Sequence, residues 1–120
     1  MTQNIKSFTD LLAWQKSHML VRMVYDSFDK LHRGNALKNQ IERSALSITS
    51  NIAEGFGRET IADKKHFYVM ARGSAYELQN QIILSKDIGH ISASEHDKLM
   101  SSSVDSIKLI HGLIRSLQAR

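Results

Sequence analysis

The sequence predicts an all-α fold: an antiparallel up-down-up-down four-helix bundle forming a single domain over residues 1–120 and assembled as a homo-oligomer. Three observations carry the bundle. Proline, the strongest helix breaker, is absent from the 120 residues. Apolar residues recur at helical spacing in four segments. Short glycine-marked stretches separate those segments, as between antiparallel neighbours.

The first helix is expected from about Phe8 to Asp29. Ser7 with Asp10 resembles a capping box, and Trp14, His18, Val21, Tyr25 and Phe28 form one face. His32, Arg33 and Gly34 end it, with Gly34 suited to a left-handed cap. The second runs from about Ala36 to Glu54 on a stripe of Leu37, Ile41, Ala45, Ile48 and Ile52, and Gly55-Phe56-Gly57 stops it. The third begins after Thr60, a hydroxyl cap with Asp63 three positions on, and reaches about Ile88 before Gly89. Phe67, Met70, Ala71, Ser74, Leu78 and Ile82 are its expected inner face, and a close helix contact would explain Gly73 in its middle. The fourth starts near Ser92, with Glu95 three residues later, and reaches about Leu117. Its stripe is Leu99, Ile107, Ile110, Ile114 and Leu117, and the helix is read through Ser101-Ser102-Ser103.

Composition narrows the function classes. Hydrophobic residues make up 42%, normal for a globular domain. Cysteine is absent, which removes disulfides, thiolate metal sites and thiol nucleophiles. No secretory leader or membrane-length apolar run is visible, so a soluble, cytoplasmic protein without membrane attachment is the expectation. The net charge of +4 is scattered along the chain, so any basic patch must be assembled by folding or by symmetry.

Helices one and three carry more apolar surface than one core face needs. Leu12, Met19 and Met23 form a second stripe on helix one, and Val69, Tyr76 and Ile83 recur every seven residues on helix three. Leaving such side chains in water forgoes roughly 1.5–3 kcal/mol each. These six residues are the expected oligomer interface.

The segments FTDLLAWQKSHML (8–20), IERSALSITSNIAEGFGRET (41–60) and FYVMARGSAYELQNQI (67–82) resemble a bacterial four-helix-bundle family encoded by intervening sequences in large-subunit ribosomal RNA genes. That family also includes the accessory variability protein of diversity-generating retroelements. The resemblance implies a ring-like homopentamer and no established enzymatic activity. Retroelement members resemble nucleic-acid-binding partners of a reverse transcriptase. Two positions depart from the family pattern: Glu42 stands where a basic residue is usual, and Thr49 where proline is usual. The first removes positive charge from helix two, and the second should leave that helix straighter.

Candidate chemistry is sparse. No two of the six histidines stand three or four apart, so no helical metal site is expected, and His18 reads as a core histidine. Asn51, Glu54, Arg72, Ser74 and Glu77 read as a buried or interfacial network, with Arg72 paired to Glu54 or Glu77 and Asn51 satisfying a helix end. Gly55-Phe56-Gly57-Arg58 reads as a helix–helix turn, because it lacks the lysine and the preceding strand of a phosphate loop. No catalytic residue and no cofactor is assigned. Lys16, Arg22, Arg43, Arg58, Lys64, Lys65 and Arg72 are the candidates for an RNA or DNA backbone, repeated once per subunit in a ring. The expected function is low-specificity nucleic-acid binding, or service beside a nucleic-acid enzyme. A protein–protein adaptor or structural oligomer without nucleic-acid affinity is the alternative.

Overall fold

A computed structural model describes residues 4–118. The expected domain, 1–120, extends at both ends beyond the described residues. Four α-helices account for most of them, and no strand occurs among them: α1 (Leu12–Phe28), α2 (Ala36–Phe56), α3 (Ile61–Asp87) and α4 (Ala93–Gln118). Each helix packs on two others, α1 and α3 both against α2 and α4, while α1 and α3 do not touch. These two helices therefore lie diagonally across the core. Paired residues run in opposite sequence directions: Ser44 meets Glu77 and Ser47 meets Ser74 between α2 and α3, and on α4 Ser106 meets Ser17 of α1 while Glu95 meets Lys30 just past the end of α1.

Helix one does not start at Phe8. Residues Phe8–Asp10 make a 3₁₀ turn closed by the expected Ser7–Asp10 capping box, and Leu11 is extended (φ −74°, ψ 128°) before α1 begins. The Asp10 carboxylate accepts from the Lys6 and Ser7 amides, and Gln15 Nε2 takes the Thr9 carbonyl. Those partners satisfy the polar groups that a continuous helix would have used. At the other end of α1, Gly34 does not take the left-handed conformation; Gly89 alone has positive φ among the described residues (81°). The Gly34 amide instead donates to His32 Nδ1 at 2.9 Å.

On α2 and α4, Ile41, Ala45, Ile48, Ile52, Leu99, Ile107, Ile110, Ile114 and Leu117 are buried as expected, while Leu37 in the first turn of α2 is only half-buried against the core. Helix α2 continues two residues past Glu54 through Gly55 and Phe56. Thr60 caps α3 through Asp63 N, and Ser92 and Glu95 close a reciprocal box at the start of α4. Ser103 is fully buried within a continuous α4, donating to the Met100 carbonyl and accepting from Gln79.

Helix α1 is rotated from the expected orientation. Its core face is Ala13, Ser17, Leu20, Val21, Val24 and Phe28. Trp14 is only half-buried, and His18 and Tyr25 are exposed. The small side chains of Ala13 and Ser17 let α4 approach, and the Ser17 and Ser106 hydroxyls meet at 2.7 Å in the interior. On α3, Tyr68, Ala75 and Ser85 join the core, while Met70 is turned out. Gly73 is exposed, and a Cβ there would meet nothing within 4 Å, so no contact inside the bundle accounts for it.

Candidate nucleic-acid and assembly surfaces

The apolar residues left over from the core fall on two helices. Leu12 is 57% exposed and Met19 54%, with Met23 half-buried beside them on α1; on α3, Tyr76 is 51% exposed, Ile83 45% and Val69 36%. The two sets sit on the diagonal pair of helices, so they open on different sides of the bundle. The α1 set lines an open groove against α4. One stretch, about 440 Å³, is walled by Leu12, Lys16, Met19, Asp105, Lys108 and Leu109. The adjoining stretch, about 430 Å³, runs past Met23 to Asp97 and Lys98. Its α4 wall escaped the sequence reading because Leu109 interrupts rather than extends the helix-four stripe. Leu46, Leu84, Ile88 and Val104 are further exposed apolar residues that no periodic pattern had marked.

The seven candidate cations do not converge on one patch. Arg58, Lys64 and Lys65 gather around the α2–α3 connection. Two of these are already engaged. Arg58 reaches Glu54 at 3.6 Å and lies 4.7 Å over the Phe67 ring, and Lys64 Nζ donates to the Phe56 carbonyl at 2.7 Å. Lys16 stands 3.8 Å from Asp105 in the α1–α4 groove. Arg22, Arg43 and Lys65 are exposed on α1, α2 and α3, Arg72 is half-buried on α3, and none of these four makes an ion pair among the described residues.

The expected network around Arg72 is replaced by a different one. Glu54 pairs with Arg58, one turn away on its own side of the helix end. Glu77 accepts from Ser44 Oγ and Gln81 Nε2, each at 3.3 Å. At about 100° per residue, Arg72 and Glu77 point about 140° apart on α3 and cannot share a partner across one seam. Asn51 does not serve a helix end: its Nδ2 donates to the Ser47 carbonyl (2.8 Å) and hydroxyl (3.0 Å), and Ser47 in turn meets Ser74 at 2.8 Å. These contacts join α2 to α3 and leave no acid–base pair in a cleft.

His18 is not a core residue. It is exposed and stacked on Trp14. Among the described residues, no three His, Asp or Glu side chains converge as metal ligands, and no helix is long and apolar enough to cross a membrane. Two carboxylates are held below their ordinary range. Hydrogen bonds from the Lys6 and Ser7 amides lower Asp10, and hydrogen bonds from the Lys30 ammonium and the Ser92 amide lower Glu95.

The fold has a solved counterpart. The crystal structure of a protein of unknown function from the S23 ribosomal protein family of Bacteroides thetaiotaomicron superposes with a TM-score of 0.81, covering 87% of this chain and 96% of that one at 21% identity. No curated protein matches the chain. A sequence model for 23S rRNA-intervening sequence proteins matches residues 9–112, which span α1, α2, α3 and most of α4. The chain belongs to the 23S rRNA-intervening sequence protein family.

Proposed function

We propose that this chain is a non-enzymatic cytoplasmic bundle, its helices running up-down-up-down, that assembles into a homo-oligomer and docks the phosphate backbone of RNA or DNA on the outside of that assembly. The observation that carries the reading is the set of exposed cations, Arg22, Arg43 and Lys65, that no acid neutralises among the described residues. Each is a weak site alone. Repeated around an oligomer, they sum to a field that a polyanion meets at several points. The exposed α1 and α3 residues supply the contact between copies, the family resemblance adds five as the copy number, and its retroelement members add a reverse transcriptase as a partner. Light scattering should give a mass several times 13.6 kDa. RNA affinity should fall steeply between about 50 and 200 mM salt, and Arg43→Ala with Lys65→Ala should flatten that dependence. A monomer, or affinity indifferent to salt, would refute the reading.

The adaptor reading draws on a different observation. Lys16, Arg58 and Lys64 are already occupied by Asp105, Glu54 and the Phe56 carbonyl, while the α1–α4 groove is apolar along Leu12, Met19 and Leu109. An oligomer that retains no RNA at low salt would favour it.

A further inference from the structure

The rotation of α1 leaves an aromatic strip on its outer side. Trp14 packs partly against the core, and His18, one turn on and exposed, lies flat against it, with ring centroids 4.6 Å apart and planes inclined by 11°. Phe8 meets Trp14 edge-on at 5.5 Å. Arg22 follows His18 by four residues and Tyr25, 42% exposed, by seven, so helical spacing places a cation and another ring beyond the stack on the same side of α1. Trp14 and His18 lie outside the α1–α4 groove lined by Leu12, Met19 and Met23, and Arg22 stands at its border beside Met19, Met23 and Asp26. A dry contact with another copy would strand the imidazole nitrogens of His18 and the guanidinium of Arg22. A flat, half-polar stack ending near a cation suits a planar, wet ligand attached to an anion.

We propose that the Trp14–His18 stack is a platform for an unpaired nucleobase, seated on the outer face of His18, with Arg22 meeting the adjoining phosphate. This rests on the reading that the chain binds nucleic acid, and adds to it a preference for single strands, since paired bases offer no free face. The preference is indifferent to base identity because every base has a π-face.

Trp14 is the one tryptophan in the chain, so its emission reports on the platform through the stacked imidazole. The full chain is titrated with labelled single-stranded RNA of about 12 nucleotides, an abasic strand of equal charge and a duplex of the same length. The intact single strand should quench Trp14 and bind roughly tenfold more tightly than the abasic strand. His18→Ala should abolish that difference and leave abasic binding unchanged, and His18→Phe, which keeps a flat ring, should preserve it. Equal binding of intact and abasic strands with unchanged emission would overturn the platform and leave backbone docking standing. Absence of binding to all three would overturn both. Emission that changes only as protein dilution separates the subunits would assign the rings to a subunit contact and overturn the platform.

Discussion

The Tyr68 ring lies against Gly55 so closely that a Cβ on the glycine would stand 2.7 Å from Cε1 and 2.9 Å from Cδ1. The glycine is inside α2, and Tyr68 is 3% exposed on α3. Replacing Gly55 by alanine improves helix propensity by at most about 1 kcal/mol. It also puts a methyl 3.0 Å from the Phe67 Cβ and forces the buried Tyr68 ring to move. Overpacking of this kind costs about 1–3 kcal/mol. Gly55→Ala should therefore lower the urea midpoint, and a midpoint equal to that of the wild type would mean that the ring slides aside freely.

Gly73 makes the opposite case. A methyl there meets nothing within 4 Å and φ is not positive, so only propensity is at stake. Gly73→Ala should stabilise the folded protomer by up to about 1 kcal/mol, read as a higher midpoint in chemical denaturation.

The buried Ser17–Ser106 pair should behave as a unit. Either single alanine substitution leaves a hydroxyl without its partner 2.7 Å away and should cost about 1 kcal/mol or more. Replacing both removes the need for a partner, and the double variant should lose less than the two singles together. A double-mutant cycle showing strict additivity would contradict a coupled pair.

Acid should weaken both ends of the bundle seam. Asp10 and Glu95 have depressed pKa values in the folded chain, through the Lys6 and Ser7 amides and through Lys30 and Ser92 respectively. A depressed carboxylate contributes stability that is complete above its ordinary value, 3.8 for Asp10 and 4.5 for Glu95. It is lost as pH falls below that value through the folded one. Thermal melts from pH 6 down to about pH 3 should show this loss, and Glu95→Gln should flatten its upper part.

Assembly should be separable from folding. Met19 and Tyr76 are more than half exposed in the protomer, so an aspartate at either costs the bundle little. Met19→Asp and Tyr76→Asp should each lower the mass seen by light scattering while the helical circular dichroism signal is kept. Unchanged mass in both would place the subunit contact elsewhere.

Legibility in the sequence followed how many apolar stripes a helix carries. On α2 and α4 a single stripe of isoleucines and leucines leaves one orientation, and Ile41, Ile48, Ile52, Ile110 and Ile114 are buried as read. On α1 apolar residues surround most of the helix, and the choice between stripes is made by Ala13 and Ser17, whose small size brings α4 close. Serines do not register as core in a hydrophobic pattern. Yet Ser17, Ser85, Ser103 and Ser106 are fully buried, each hydroxyl satisfied by a carbonyl or another side chain. The Arg72 network failed for a related reason, since the two acids expected beside it have other partners: Arg58 for Glu54, and Ser44 and Gln81 for Glu77.

The extended backbone at Leu11 settles which rings can become neighbours. On an unbroken rod, Phe8 and Trp14, six residues apart, would look about 120° away from each other. The bend folds the short 3₁₀ turn back so that the phenyl ring reaches the indole. Deleting that single leucine would straighten the entry and unseat Phe8 from Trp14, although neither aromatic residue had been altered.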